Sequence, residues 1–408
     1  MAKTVVIVGA LDTKGREFAF VKQVIEQAGV ATLVVDFGVM GEPAFPPDVT
    51  RAEVAAAAGG DLAYLATGNH KDEAMAIMAK GLAQVVEQLY EAGRLDGIIG
   101  MGGSGGTSIA TAGMRALPVG IPKVMVSTVG GGDVSAYAGT RDITFMPSIV
   151  DVAGINSISR RIYANAAGAI AGMVTAVAPA PEEERPLVTA SMFGNTTACV
   201  DRAREVVEAK GYEVLVFHAT GTGGRTMEAL IGDGYIRGSL DLTTTELADE
   251  VCGGVFSAGP DRCMAASRAG VPAVIAPGCV DMANFWSIDM VPERYKHRNL
   301  YQWNPNVTLL RTNVDENRRI GEMIAAAANA ATAPVAIVLP LRGVSMLDGI
   351  GANGMPNAFW DPEADRACFD AIKANVHPDI PVIEIDHNIN DMAFADACAE
   401  LLLGMLKG

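Results

Sequence analysis

Cysteine and positive charge are both scarce in this sequence. Six cysteines are scattered from Cys199 onward without a C-x-x-C pair, which excludes a disulfide scaffold and indicates reduced thiols. No H-E-x-x-H or comparable zinc-binding spacing occurs. Lysine and arginine total 31 against 47 aspartates and glutamates, a net charge of −16. Such a charge argues against nucleic acids and anionic membranes as partners.

Long apolar runs and targeting signals are also missing. The most apolar stretch, Ala166–Ala180, is shorter than the ~20 residues that span a bilayer, and prolines interrupt it. The chain enters a strand at Lys3–Val8 without a cationic segment followed by a signal-length apolar core. We therefore expect a cytoplasmic protein that binds no membrane and no nucleic acid.

Glycine and aliphatic side chains are abundant. Glycine contributes 45 of 408 residues, 50% of the residues are hydrophobic, and strand-like apolar runs alternate with helix-like segments. This alternation predicts an α/β fold in which helices cover both faces of parallel sheets. A segment rich in proline and glutamate, Val177–Pro186, separates residues 1–180 from residues 187–408, and we expect a domain boundary there.

The two halves follow the same plan. In each, a strand runs into a helix that ends at a glycine and is followed by a second strand. Further along, Gly254–Pro260 and Gly270–Ala276 resemble Gly97–Gly103 and Gly120–Val126. We infer two Rossmann-like subdomains that arose by internal duplication. Because ligands of such sheets bind at the carboxyl ends of strands, the loops that follow strands are the candidate sites.

The strongest motif is the run Gly100–Ser108, which contains five glycines in its first seven residues. It follows a strand and opens a helix, so backbone amides and the helix N-terminus can hold an anion. We predict a phosphate cradle for ATP in this run. Its binding residues are Gly102, Gly103, Ser104, Gly105, Gly106 and Thr107.

The same run admits other interpretations. The G-x-G-x-x-G pattern suits a dinucleotide only after a first strand and before an acidic residue, and neither condition holds. A Walker A loop requires a lysine that is missing here. The G-x-S-x-G pattern would make Ser104 a hydrolase nucleophile, which requires an acid and a histidine elsewhere. A tight turn without a ligand is the remaining alternative.

Two further loops follow strands of the first half and are expected at the same edge of the sheet. The first offers hydroxyl and ammonium groups to phosphate, and carboxylates to a ribose or to Mg²⁺. Helix capping is the alternative role of Asp12 or Thr13. The second adds a run of amides and a possible metal ligand. The predicted residues are Gly9, Asp12, Thr13, Lys14 and Glu17 in the first loop, and Gly130, Gly131, Gly132 and Asp133 in the second.

The second half carries a different set of polar loops. Its basic cluster, Arg294–Arg298, contrasts with the acidic chain and suggests a carboxylate or phosphate substrate. Two histidines would serve as acid–base groups or metal ligands, although a structural role is as common for a lone histidine. If these loops converge, the catalytic candidates are His218, Asp281, Arg294, His297 and Arg342.

These motifs together resemble the Tm-1-like ATP-binding family over nearly the whole chain. They are Gly9–Glu17, Gly102–Thr107, Val188–Thr197, His218–Arg225, Ser257–Arg262, Pro292–Tyr301 and Leu339–Asp348. The resemblance implies two Rossmann-like subdomains, ATP in the N-terminal one, and homodimers or larger assemblies. We expect an ATP-binding protein, with or without Mg²⁺, whose second subdomain acts on a small acid. A non-catalytic nucleotide-dependent scaffold and a serine hydrolase using Ser104 are the alternatives.

Overall fold

The computed structural model describes residues 3–177, 179 and 184–407. The chain divides into two compact units, Met1–Ala180 and Pro181–Gly408. Of the predicted linker, residues 178 and 180–183 lie outside the described residues. Within the described part of the chain, no helix combines the length and apolarity needed to cross a bilayer.

The first unit is a parallel sheet covered by helices. Its strands are β1 (Thr4–Gly9), β2 (Ala31–Asp36), β3 (Gly97–Gly102), β4 (Lys123–Ser127) and β5 (Thr144–Pro147). Its helices are α1 (Leu11–Gln27), α2 (Arg51–Ala57), α3 (Leu62–Leu65), α4 (Lys71–Glu91), α5 (Ser104–Ala116), α6 (Ser135–Ala138) and α7 (Ser159–Thr175). The strand order is β2-β1-β3-β4-β5, and all neighbouring strands are parallel.

Alternate side chains of these strands build a core on each face of the sheet. Val5 and Ile7 of β1 pack with α1 and α7, whereas Val6 and Val8 pack with α2, α4 and α5. Strands buried on both faces are continuous apolar runs in the sequence. Helix α7 takes up most of the apolar stretch noted above and buries one face against the sheet.

The second unit repeats this plan and adds a small sheet. Its main strands are β6 (Leu187–Met192), β7 (Glu213–His218), β8 (Ile236–Thr243), β9 (Ala273–Gly278), β13 (Val335–Pro340) and β14 (Val382–Ile385). Its helices are α8 (Thr197–Glu208), α9 (Thr222–Gly232), α10 (Thr245–Cys252), α11 (Met264–Ala269), α12 (Val314–Asn329), α13 (Pro362–Asn375) and α14 (Met392–Met405). The main sheet is parallel, in the order β14-β13-β9-β8-β6-β7.

Counted along the chain, the first five main strands of each unit lie in the same spatial order, 2-1-3-4-5. The predicted α/β fold with two Rossmann-like parallel sheets is confirmed, and the shared order supports the inferred duplication. The small antiparallel sheet was not predicted. Its order is β10-β12-β11, with β10 (Met282–Phe285), β11 (Leu300–Asn304) and β12 (Val307–Arg311) inserted between β9 and β13. All six cysteines are buried and unpaired.

Candidate functional site

The first candidate site lies at the carboxyl edge of the first sheet, where the strand order reverses. Strands β1 and β3 are neighbours, but β2 lies beyond β1 and β4 lies beyond β3. Doubly wound sheets open a crevice at such a point, outside the carboxyl ends of the two central strands. The glycine run and the loop after β1 border this crevice.

The glycine run forms the end of β3 and the first turn of α5. Gly100 and Gly102 belong to the buried strand, and α5 begins at Ser104. A Cβ on Gly100 would lie 2.8 Å from the Cβ of Ala110, and one on Gly102 would lie 3.1 Å from the Cα of Gly106. These two glycines therefore let the helix pack closely on the strand.

Gly103, Gly105 and Gly106 have no comparable packing reason. A Cβ at any of them would meet no other atom within 3.6 Å, and none has a positive φ angle. Helix α5 has no side-chain cap, and Ser104 is exposed. The first turn of a helix leaves backbone amides without intrahelical partners. Here two of the first three helical residues are Gly105 and Gly106, which place no side chain over the amides, as in known anion sites.

Thr107 has a different role from the one that the sequence suggested. It is fully buried, and its Oγ1 lies 2.7 Å from Oγ of Ser127 at the end of β4. The amide of Thr128, the residue after Ser127, donates to the carbonyl of Gly102 at 3.2 Å. Thr107 thus fastens the first turn of α5 to β4, and its hydroxyl is used within the protein.

The loop after β4 is exposed at Gly131, Gly132 and Asp133. The Asp133 carboxylate accepts the Ser135 amide at 2.9 Å, and its hydrogen bonds with Ser135 hold its pKa below the ordinary value. Gly130 packs instead, because its Cβ would lie 3.2 Å from the Ser127 carbonyl oxygen. In the described ranges, no group of three or more His, Cys, Asp or Glu side chains could hold a metal.

Gly9 and Asp12 hold neighbouring segments in place. A Cβ on Gly9 would lie 2.1 Å from the Phe18 ring, so this glycine makes room for the aromatic side chain. Asp12 accepts the amides of Met40 and Gly41 at 3.0 and 3.1 Å, which fixes the loop after β2. Both residues thus have structural roles at the rim of the crevice.

Lys14 and Glu17 both contact the segment after β5. The Lys14 ammonium donates to the carbonyl of Val152, and the buried Glu17 carboxylate accepts the amide of Gly154. Thr13, between Asp12 and Lys14, is exposed. An ammonium group has three donors, so Lys14 retains the capacity to contact a ligand.

Sequence reasoning missed Asp36, the last residue of β2. It is fully buried, and its Oδ1 accepts the amides of Leu11 and Gly38 at 3.0 and 2.8 Å. Burial raises its pKa above the ordinary value. Asp36 thereby ties the loop after β2 to the start of α1. An acid at the end of an apolar strand was the available signal.

An apolar cavity of about 310 Å³ adjoins the glycine run. Its lining includes Met40, whose amide is held by Asp12, and Met75, whose Cε would lie 3.6 Å from a Cβ on Gly105. Leu65 and Ile109 complete much of the apolar wall. Because these residues come from separate helices and loops, no single stretch of sequence indicated the cavity.

Ser104 lacks the partners of a hydrolase nucleophile within the first unit. The single histidine of residues 3–177 is His70, whose ring stacks on Tyr64 at 4.4 Å and lies 3.9 Å from the Glu73 carboxylate. No hydrogen bond links Ser104 to a histidine in this range. The unit by itself therefore contains no triad around Ser104.

The catalytic candidates of the second unit occupy separate surroundings. His218 ends β7 and packs against the Phe193 ring at 5.3 Å, and partial burial lowers its pKa. His297 is exposed. Arg294 donates to the Cys252 carbonyl at 3.2 Å and lies over the neighbouring Tyr295 ring.

Arg342 and Asp281 are also engaged. Arg342 makes two hydrogen bonds to Asp386, at 2.7 and 2.8 Å. Asp281 is fully buried and accepts the Ser345 hydroxyl at 2.7 Å. Burial, with the neighbouring charge of Asp348, raises the pKa of Asp281 to about 7. The cavity that Arg342 lines includes none of the other four candidates, so the single anion pocket expected from the sequence receives no support.

A buried ion network occupies the carboxyl edge of the second sheet. Arg262, which ends the Ser257–Arg262 motif, is 1% exposed. Its guanidinium binds Asp241 at 2.7 Å, Glu246 at 2.5 Å and Glu228 at 3.3 Å. Burial raises the pKa of Glu228 to about 7. Arg262 therefore balances carboxylates of the same unit instead of binding a substrate.

Comparison with known proteins gives the family of the chain. Residues 3–179 match the N-terminal domain, and residues 185–406 the C-terminal domain, of "Uncharacterised protein family (UPF0261)". The chain belongs to the UPF0261 family. A UPF0261 protein of Clostridium tetani is 49% identical over 408 residues, which is 100% of both chains.

Another relative is a plant protein longer than this chain. The ToMV resistance protein Tm-1(GCR237) of Solanum lycopersicum is 40% identical over 339 residues, 81% of this chain and 44% of that protein. The resemblance to Tm-1-like proteins is thus confirmed. Among solved structures, a UDP-N-acetylglucosamine 2-epimerase covers 68% of this chain and 79% of its own at 9% identity. Its TM-score of 0.25 is too low to inform function.

Proposed function

We propose that the first unit binds ATP and that amides at the start of α5 hold its phosphates. The observation that carries this proposal is the uncapped first turn of a 13-residue helix beside the crevice. Its glycines at 103, 105 and 106 are not required by packing. The positive end of the helix dipole and the free amides favour an anion there, despite the net negative charge of the protein.

The apolar cavity supports a nucleotide over a bare phosphate. Its walls of methionine, leucine and isoleucine side chains suit the faces of a base, and Met75 lies close to the first turn of α5. Apolar walls with a few well-placed polar groups are typical of cofactor sites. The choice of adenine rests on the Tm-1-like resemblance. Asp133, an exposed carboxylate after the neighbouring strand, is the candidate contact for Mg²⁺ on the phosphates.

The proposal includes no reaction. In the second unit, Arg294, Arg342 and Asp281 are each engaged by other groups of the protein. Binding without catalysis would suit the nucleotide-dependent scaffold that the sequence left open. A search for turnover becomes informative once the nucleotide site is established.

The test is a Gly105→Val substitution measured by calorimetry with ATP and Mg²⁺. The new Cβ would meet no atom closer than the flexible end of Met75 at 3.6 Å, so the fold should persist. We expect ATP affinity to fall at least about tenfold, since charge-assisted hydrogen bonds are lost. Gly168→Val in α7, where a Cβ meets nothing within 4 Å, is the matched control. Unchanged affinity in a folded Gly105→Val protein would rule out the cradle.

A further inference from the structure

A second cavity, of about 480 Å³, lies at the carboxyl edge of the second sheet. The loops that follow β13 and β14 form much of its wall, and its size suits a small metabolite. Four of its residues are charged or aromatic: Arg342, Asp348, Asp391 and Trp360. None of these residues belongs to the nucleotide site proposed above.

The amide donors around this cavity are used to hold its walls. Asn388 Nδ2 donates to the carbonyls of Asp348 at 3.0 Å and Arg342 at 3.3 Å. Asn390 Nδ2 donates to the carbonyl of Asn195 at 2.9 Å. These bonds link the loop after β14 to the loops after β13 and β6. The walls are therefore fixed before any ligand arrives.

Two side-chain amide oxygens at this cavity have no hydrogen-bond partner among the described residues. They are the buried Oδ1 of Asn390, in the lining, and the buried Oδ1 of Asn195, behind it. Asn195 as a whole is 1% exposed. Buried polar atoms without partners are uncommon in native proteins. A rotation of the Asn390 side chain would present its Oδ1 to a ligand that donates hydrogen bonds.

The charges of the cavity favour a cation. Its single arginine, Arg342, is bound through two hydrogen bonds to Asp386 and cannot offer the same atoms to an anion. Asp348 and Asp391 also line the cavity. Two aspartates thus line the cavity with one arginine, and that arginine is already paired with Asp386 outside the lining. This balance is opposite to the one that a carboxylate or phosphate substrate requires.

We propose that this cavity binds a small primary amine. An ammonium group supplies three donors and a positive charge, which match the free acceptor and the excess of carboxylates. Trp360 offers an aromatic face to the cation, and Met346 offers apolar contact to the carbon chain. The proposal does not depend on ATP binding in the first unit.

The test uses calorimetry on the full chain with three probes of one chain length: putrescine, butanediol with terminal hydroxyls, and succinate. We expect saturable binding of putrescine alone. Asn390→Leu should weaken it at least about tenfold, while Asn306→Leu, in the exposed turn between β11 and β12, should not. Thermal unfolding verifies the fold of each variant, and Trp360→Leu tests the aromatic contact to the cation.

Three results would overturn the amine site. The first is butanediol or succinate binding as tightly as putrescine, which would indicate a neutral or anionic ligand. The second is no saturable binding of putrescine or of the shorter ethanolamine at millimolar concentration. The third is unchanged putrescine affinity in folded Asn390→Leu and Trp360→Leu proteins, which would place the binding elsewhere.

Discussion

The two units share a strand order but differ where that order reverses. In the first unit, β3 leads into Gly103 and an uncapped helix whose first turn has no side-chain cover. In the second unit, the corresponding strand β8 leads into α10, which also lacks a side-chain cap but begins with the fully buried Thr244, Thr245 and Glu246. The threonine hydroxyls donate to backbone carbonyls at 3.1 and 3.0 Å.

The carboxylate of Glu246 is a second difference between the units, because it binds backbone amides at the start of α9. Its Oε1 accepts the amides of Gly221 and Gly224 at 2.6 and 3.1 Å, so a protein carboxylate caps helix α9. A Cβ on Gly224 would lie 2.1 Å from Glu246, so the carboxylate covers the first turn of α9. The fold therefore creates an equivalent position in both units, and the residues decide whether a ligand can enter.

The largest expected effect comes from removing the cation that balances the second unit. Arg262→Met would leave Asp241, Glu246 and Glu228 buried without their counter-ion. Breaking a buried ion pair in this way costs about 3–5 kcal/mol. We expect a loss of stability of this order in urea unfolding. Arg268→Met, which removes an exposed pair with Asp261, should change stability by less than about 1 kcal/mol. Similar stabilities for the two variants would contradict a network that supports the fold.

A smaller effect concerns the pH dependence of the second unit. Burial raises the pKa of Asp249 from the ordinary 3.8 to about 7. Between these values the folded protein holds a proton that the unfolded chain releases. Stability should therefore fall as pH rises through this window, by about 1 kcal/mol per pH unit, and level off above it. Glu228, also raised to about 7, acts in the same direction.

Asp249→Asn isolates this contribution. The Asn284 amide donates to Asp249 at 2.7 Å, and the other amide atom of Asn284, Oδ1, has no partner, so a rotated Asn284 can accept from the new side chain. We expect a shallower decline of stability from about pH 5 to pH 7 and a more stable protein near pH 8. Asp261→Asn, at an exposed position, is the control. An unchanged slope in Asp249→Asn would show that Asp249 titrates normally in the folded state.

Most of the fold followed from apolar periodicity. Strand β1 lies within one residue of the Lys3–Val8 run in which the sequence places a strand, because a buried strand leaves a continuous apolar pattern. The antiparallel sheet was missed because β11 is mostly exposed and polar, so its pattern resembles a loop. Helix α5 begins at Ser104, inside the glycine run, although glycine ordinarily disfavours helix.

The sites were less predictable than the fold. The sequence showed an unusual density of glycine between Gly100 and Gly106. It could not show which of these glycines are required by close packing and which are not. That distinction depends on contacts with Ala110 in α5. Likewise, the partners of Arg262 lie on β8, α9 and α10, far apart in sequence. The sequence therefore contains no sign that this polar motif forms a buried ion network.

Photolabelling with an azidoadenine analogue of ATP, followed by peptide mapping, tests the contrast between the units most directly. We expect labels on peptides around Met40 and Met75, which line the apolar cavity of the first unit. Excess ATP should abolish these labels, and Gly105→Val should reduce them. Labels near Glu246 in the second unit would contradict a nucleotide site in the first unit. So would the absence of any label that excess ATP displaces.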